Sequence, residues 1–258
     1  MLLTTEGNNQ GPVWSPDGGW VFFQSDRGGN YDIFKRRADR SLDAELVLDT
    51  EADVYPASIS DDGEMLLFMS GILSNLDVGR LALDTGETEM LVDTVAREAW
   101  PSFSPDGRFF AFHSDETGSF EVYVREVSGG RRFPVSTSTR GGWWPRWSRD
   151  GREIYYTSPV SSGILVAQVD LESFSASDPV EVSDIVIRTL SNFDVTADGQ
   201  RFLVLVPAGT DETGGTAPST RLNVVLNWFE ELNRLVPTGI RRATSPGAPP
   251  RPLSGLQQ

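Results

Sequence analysis

The chain has 258 residues, of which 38% are hydrophobic, with 25 Gly, 16 Pro and no Cys. That length allows one large domain or two small ones, with a sizeable buried core. The net charge of −15 repels phosphate backbones and anionic lipid surfaces, so binding to nucleic acid or to a membrane surface is not expected. Without Cys, disulfides, thiolate chemistry and Cys-rich zinc sites are excluded.

The first residues, Met1-Leu-Leu-Thr-Thr-Glu6, lack a basic region followed by a long apolar run, so no signal peptide is predicted. No segment approaches the roughly 20 apolar residues of a membrane-spanning helix. The compartment stays open, because Cys-free proteins occur in both reducing and oxidising environments.

One short pattern recurs along the chain: a Pro, a hydrophobic residue, Ser or Thr, and then Asp-Gly. The copies lie near residues 12–18, 56–63, 101–107, 145–151 and, in a weaker form, 194–199. They end at Asp17-Gly18, Asp62-Gly63, Asp106-Gly107, Asp150-Gly151 and Asp198-Gly199. The Asp residues are 45, 44, 44 and 48 positions apart, so the chain is built from five structural repeats.

Each Asp-Gly is predicted to form a hairpin turn, in which Gly supplies a positive φ and the Asp carboxylate caps free N–H groups. The strand before the turn ends at Trp14, Ile59, Phe103 and Trp147 in the first four copies. The strand after it is rich in aromatic and β-branched residues, as expected of a strand buried on both faces. These second strands are predicted at 20–25, 65–70, 109–114, 153–158 and 201–206.

Third strands are predicted at 31–36, 76–81, 120–125, 164–169 and 222–227, and shorter fourth strands at 45–48, 89–92, 132–135 and 180–182. Pro134 and Pro179 fit an outer edge, where not every N–H must be donated. Four strands at a period of about 44 residues are typical of a β-propeller blade. The predicted fold class is therefore an all-β propeller of four-stranded blades.

The propeller is predicted to occupy residues 1–239, followed by a Pro- and Gly-rich disordered tail at 240–258. Residues 228–235 are predicted as a short helix and 208–219 as a flexible loop. The last copy lacks an obvious fourth strand. Residues 2–5 could supply it and close a five-bladed ring, or they could belong to an upstream blade of a six-bladed ring.

The Ser-Pro-Asp-Gly turn, followed by strands such as Phe120-Glu-Val-Tyr-Val-Arg125, resembles the TolB-type WD-like repeat over roughly residues 11–206. A narrower resemblance is to the C-terminal propeller of certain bacterial serine/threonine protein kinases. It rests on residues 120–125, 147–151, 198–203 and 223–232. In that family the propeller follows a kinase domain, often beyond a membrane span. The resemblance implies a non-catalytic sensory module, extracytoplasmic if the kinase is membrane-anchored.

No catalytic residue, metal site or cofactor is predicted. The chain has no His-Arg-Asp or Asp-Phe-Gly kinase motif, and its one Lys, Lys35, lies in a strand. The single His, His113, shares its repeat position with Gln24, Met69 and Thr157, which indicates packing rather than catalysis. The repeated Asp residues are predicted to be structural, although a metal or glycosidase role would use the same residue type.

The predicted partner is a protein or small ligand, bound at the channel mouth where the loops between blades meet those after the second strands. Its candidate binding residues are Tyr55, Arg97, Trp100, Arg140, Trp143 and Trp144. Aromatic and Arg side chains dominate recognition surfaces. The alternative is that these rings wedge between blades as core. Two other functions stay open: a TolB-like envelope scaffold, and a lyase or glycosidase acting at the channel mouth.

Overall fold

The computed structural model describes residues 4, 6–161, 163–182, 193–196 and 202–204. All of them belong to one compact unit of the chain, Leu2–Gly215. Every regular element in the described ranges is a β-strand. The strands form successive antiparallel sheets, one for each sequence repeat, and these sheets are the blades.

Blades 1 to 3 each contain four strands in sequential order. Blade 1 consists of β1 (Asn9–Trp14), β2 (Trp20–Ser25), β3 (Asp32–Arg37) and β4 (Glu45–Leu48). Blade 2 consists of β5 (Val54–Ile59), β6 (Met65–Ile72), β7 (Asn75–Ala82) and β8 (Thr88–Val92). Blade 3 consists of β9 (Glu98–Phe103), β10 (Phe109–Ser114), β11 (Glu121–Glu126) and β12 (Arg132–Pro134).

Blade 4 differs from the prediction in its outermost strand. It contains β13 (Trp143–Trp147), β14 (Glu153–Thr157), β15 (Ile164–Asp170), β16 (Ser175–Ala176) and β17 (Val180–Glu181). The predicted strand at 180–182 is only the second of two short pieces that both pair with β15. Pro179 has no N–H to donate, so the ladder is interrupted there. Ser177 bridges part of the gap, because its Oγ accepts the Gln168 N–H at 3.0 Å.

The fifth repeat is represented by β18 (Phe193–Val195) and β19 (Phe202–Val204), which pair with each other. Several predictions fall outside the described residues: Asp198 and Gly199, the third strand at 222–227, the loop at 208–219, the helix at 228–235 and the tail at 240–258. Of the predicted closing segment 2–5, only Thr4 is described.

The second strands of blades 2, 3 and 4 are buried on both faces, as predicted, because each lies between two neighbouring blades. In β10, Phe110 and Phe112 pack toward blade 2, whereas Phe109 and Ala111 pack toward blade 4. This alternation follows from the two-residue period of a strand. Full burial of each Phe side chain contributes about 1.5–3 kcal/mol, so the blade interfaces are the hydrophobic core.

The four described Asp-Gly turns share one hydrogen-bond pattern. In blade 3, Ser104 Oγ donates to Asp106 Oδ1 at 2.6 Å and accepts the Phe109 N–H at 3.0 Å, while Asp106 Oδ1 accepts the Arg108 N–H at 3.1 Å. Gly107 has a φ of 69°. The corresponding Ser residues in the other turns make the same bonds. The Ser hydroxyl, whose role the sequence did not reveal, thus ties each turn to the start of the second strand.

Candidate functional site

The first strand of each of blades 1 to 4 is interrupted before its end by a bulge next to a Pro. In blades 1, 3 and 4 the residue preceding that Pro has a positive φ: 59° at Gly11, 55° at Trp100 and 53° at Trp144. A positive φ lies in the left-handed region of backbone conformations. This conformation costs an L residue roughly 1–2 kcal/mol, and a bulky residue rarely adopts it. The backbone conformation at this position favours Gly. The two Trp residues are therefore present because of what their side chains contact, not because of the backbone.

The bulges also join neighbouring blades. The Trp100 N–H donates to Met69 Sδ at 3.1 Å, and the Trp144 N–H donates to His113 Nδ1 at 3.3 Å. Met69 and His113 occupy the same position in the second strands of blades 2 and 3. That shared position therefore accepts a hydrogen bond from the following blade, in addition to packing.

Five side chains form what we call the Arg97 cluster: Arg97, His113, Phe120, Trp143 and Trp144. The Phe120 ring lies at its centre, 5.1 Å from the His113 ring and 5.9 Å from the Trp143 ring, measured between centroids. The Trp143 and Trp144 rings are 5.7 Å apart, and Arg97 Cζ lies 5.6 Å from the Phe120 centroid. Edge-to-face and cation–π contacts of this kind hold the rings in fixed orientations.

His113 is neutral at physiological pH. Burial lowers its pKa to about 3, and the positive charge of Arg97 acts in the same direction. Because Nδ1 accepts the Trp144 N–H, the ring proton resides on Nε2. A buried imidazole of such low pKa is a poor general base near neutrality.

A second group, the tyrosine cluster, comprises Tyr31, Tyr55, Met69 and Trp100. The two Tyr rings are 5.9 Å apart between centroids. Tyr55 is buried, and its hydroxyl donates to Asp53 Oδ2 at 3.3 Å. Burial and the nearby Asp53 carboxylate raise the pKa of Tyr55 to about 12. Its hydroxyl is therefore a hydrogen-bond donor at any physiological pH.

The six candidate binding residues fall into three places. Arg97, Trp143 and Trp144 meet in the Arg97 cluster, and Tyr55 and Trp100 meet in the tyrosine cluster. Arg140 is exposed; its carbonyl oxygen accepts the Ser158 Oγ–H at 2.5 Å. Both clusters combine buried or half-buried rings with polar groups, so the rings belong partly to the core and partly to the surface.

Sequence reasoning missed Tyr31 and Phe120 as members of these clusters. Both stand one residue before the third strand of their blades; the same repeat position in blade 2 is Leu76, which lies inside β7. An aromatic residue recurring directly before the third strand was the signal that could have identified them.

Buried carboxylates lie near the Arg97 cluster, but they do not form a metal centre. Glu98 is fully buried, and its Oε1 accepts the Thr94 hydroxyl at 2.6 Å. Burial raises the pKa of Glu98. Within the described ranges, no group of three or more His, Asp or Glu residues is arranged to hold a metal ion.

A separate cleft of about 510 Å³ lies between blades 1 and 2, at the end of the blades where the Asp-Gly turns are. Its apolar lining includes Trp20, Phe22 and Ile59. In blades 3 and 4 the position of Ile59 is taken by the larger Phe103 and Trp147, both buried against the preceding blade. The smaller side chain leaves this wedge open. The cleft is thus remote from both aromatic clusters.

Solved structures of known proteins share this architecture. A protein from Agrobacterium tumefaciens identified as a TolB aligns with a TM-score of 0.56 and 21% identity, over 69% of this chain and 69% of that one. TolB from Acinetobacter baumannii aligns with a TM-score of 0.56 and 20% identity, over 70% and 45% of the two chains. The fold is a TolB-type β-propeller.

The same fold also occurs in an enzyme. An oligogalacturonate lyase in complex with manganese aligns with a TM-score of 0.57 and 16% identity, over 76% of this chain and 58% of the lyase. The chain thus spans less than two thirds of the A. baumannii TolB and of the lyase. At such identities the likeness extends to the fold alone.

Sequence comparison finds a shorter match. An uncharacterized protein of Agrobacterium fabrum is 36% identical over 69 residues, which are 27% of this chain and 23% of that protein. No protein-family model matches the chain. In the part of the chain that the structure describes, no helix has the length and apolar composition needed to cross a bilayer.

Proposed function

We propose that this chain is a non-catalytic binding propeller that recognises a protein or small ligand through the Arg97 and tyrosine clusters. The observation that carries the proposal is the placement of Trp100 and Trp144 at a positive φ where Gly11 stands in blade 1. Strained backbone at a bulky residue concentrates at functional sites. Trp, Tyr and Arg are also the residue types that contribute most to binding energy at interfaces.

The state of the single His supports a binding role. The single His of the chain is buried, uncharged and engaged with the Trp144 N–H. Because the manganese-bound lyase shares this fold, an enzymatic role has to be considered. The described residues of this chain, however, contain no group of side chains arranged to hold a metal ion. A binding surface needs none of these groups.

We propose further that the propeller is the sensory module of a bacterial serine/threonine kinase. The support is the resemblance of residues 120–125, 147–151, 198–203 and 223–232 to the propellers of those kinases. The alternative is a TolB-like scaffold of the cell envelope, which the structural likeness to TolB favours. The gene sequence upstream of Met1 separates the two. Kinase motifs in the same reading frame support the sensory module, an export signal supports the scaffold, and a stop codon directly before Met1 contradicts the kinase module.

The binding role is tested by selecting ligands on the intact chain. A displayed library of random peptides is panned on the wild type, and the recovered clones are assayed on Trp144→Ala and on Trp20→Ala. Trp20 lies at the opposite end of its blade, beside the Asp-Gly turn, and is the matched control. We expect most clones to lose binding to Trp144→Ala and to retain it on Trp20→Ala. If most clones bind Trp144→Ala as well as they bind the wild type, the proposed site is contradicted.

A further inference from the structure

The Arg97 cluster contains a concentration of buried hydrogen-bond donors that have no acceptor. Arg97 Nε, Trp143 Nε1 and Trp144 Nε1 are each inaccessible to solvent and unpaired among the described residues. Leaving such a group unpaired destabilises the fold, so natural proteins rarely retain several together without a use. Indole and guanidinium N–H groups only donate, so the partner they lack is an acceptor.

Positive charge accompanies these donors. Among the described residues, no carboxylate lies within ion-pair distance of Arg97. A guanidinium group that remains unpaired beside unpaired indoles favours an anionic acceptor.

Two acidic side chains that follow the second strand of blade 3 already have partners. Asp115 Oδ1 accepts the backbone N–H of Arg97 at 2.9 Å, but the Asp115 carboxylate forms no ion pair with the Arg97 side chain. Glu116 forms an ion pair with Arg132 at 2.8 Å. Neither carboxylate therefore satisfies the donors of the cluster.

From these observations we infer that the Arg97 cluster binds a carboxylate group of its ligand. The inference rests on the proposed function and deepens it by naming the chemistry of the ligand. The carboxylate accepts from Arg97 Nε and from the two indole N–H groups, and the rings of Phe120 and Trp143 pack against its carbon skeleton. A small organic acid and an acidic peptide side chain both present this group.

The indole N–H signals of a ¹⁵N-labelled full chain give a direct readout. The chain has seven Trp, and Trp143→Phe and Trp144→Phe assign the two relevant signals. Sodium acetate is titrated against sodium chloride at equal ionic strength. We expect saturable shifts confined to the Trp143 and Trp144 signals. If acetate shifts these two signals no more than chloride does, the inference is overturned.

Variants of Arg97 test the donor itself. We expect Arg97→Gln to weaken acetate binding at least about tenfold, since charge-assisted hydrogen bonds are the strong ones. Arg97→Lys keeps the charge but removes Nε–H, and we expect it to recover only part of the affinity. Arg108→Gln is the control, because Arg108 is exposed beside the Asp106 turn. Equal acetate affinity in Arg97→Gln and Arg108→Gln contradicts the inference.

A second pair of probes distinguishes the source of the carboxylate. The peptide acetyl-Gly-Glu-Gly-amide and its Gln counterpart are titrated under the same conditions as acetate. Tighter binding of the Glu peptide than of acetate indicates an acidic peptide ligand, and the reverse order indicates a small acid. If the panned peptides bind through Trp144 but carry no carboxylate and are not displaced by acetate, the binding role stands and the carboxylate inference fails.

Discussion

The backbone N–H of Trp144 in blade 4 donates to Nδ1 of His113 in blade 3. This bond joins the strained bulge of one blade to the buried second strand of another. It also fixes the His tautomer and places the ring against Phe120, 5.1 Å away between centroids. The only His of the chain is thus a structural link between blades that helps to orient the Arg97 cluster.

Substitutions at His113 should separate the hydrogen bond from the packing. His113→Leu removes the acceptor and leaves the Trp144 N–H unpaired, and we expect the free energy of unfolding to fall by about 1–3 kcal/mol. His113→Gln keeps an acceptor atom in the side chain, and Gln is the natural residue at this position of blade 1 (Gln24). We expect a smaller fall in the free energy of unfolding for this variant. Urea unfolding of both variants, followed by Trp fluorescence, measures the difference. Equal losses in the two variants contradict a role for the hydrogen bond.

The pH dependence of stability provides an independent test of His113. Its pKa is about 3 in the folded chain and 6.5 when exposed, so between these values only the unfolded chain binds the proton. The free energy of unfolding must therefore fall as pH falls through this window. Relative to His113→Gln, the wild type should lose about 2 kcal/mol between pH 7 and pH 5. Urea unfolding at both pH values measures this, and an unchanged difference between the two proteins argues against a buried neutral His.

The Ser of the Asp-Gly turn should matter most where it is buried. Ser104 is 1% exposed and accepts the buried Phe109 N–H, so Ser104→Ala leaves that group unpaired. We expect a loss of about 1–3 kcal/mol in the free energy of unfolding. Ser15 makes the equivalent bonds in a more exposed turn, and Ser15→Ala should cost less because water can replace the hydroxyl. Thermal and urea unfolding compare them, and the reverse order contradicts this explanation.

The last residue of the first strand fills the wedge between two blades. A smaller residue should not be tolerated at Phe103, whereas a larger one should be tolerated at Ile59. Phe103 is buried against blade 2, so Phe103→Ile opens a cavity there, and we expect it to destabilise the fold by about 1–3 kcal/mol. Ile59 lines the open cleft between blades 1 and 2, where a larger ring has room. Ile59→Phe should therefore cost less than Phe103→Ile in urea unfolding. Similar costs would show that the cleft is not an unfilled wedge.

The strands were predictable because local chemistry and the repeat specify them together. The Asp-Gly turn ends the first strand and the buried aromatic run begins the second, so β2 (Trp20–Ser25) and β10 (Phe109–Ser114) have the predicted bounds. The outer strand of blade 4 was predicted only in part. Its residues contribute little burial, and whether Ser177 continues a ladder past Pro179 depends on the partner strand.

The aromatic clusters were harder to predict than the strands. Trp100 and Trp144 stood out because an aromatic residue before Pro recurs at the repeat period. Nothing local predicts their positive φ, since that arises from bulges in pairing with β10 and β14. The Arg97 cluster joins residues from two loops of blade 3, before its first and its third strand, to the first strand of blade 4. Such a grouping depends on how adjacent blades pack, and one repeat does not contain that information.

The measurement that bears most directly on the binding role is the affinity of a selected peptide for the wild type, Trp143→Ala, Trp144→Ala and Trp20→Ala. Isothermal titration provides all four values, once the unfolding midpoints show that each variant is folded. We expect both cluster variants to lose at least about tenfold in affinity, as central aromatic residues of interfaces do. Trp20→Ala should bind within about twofold of the wild type. If all four proteins bind equally, the Arg97 cluster is core packing and the ligand binds elsewhere.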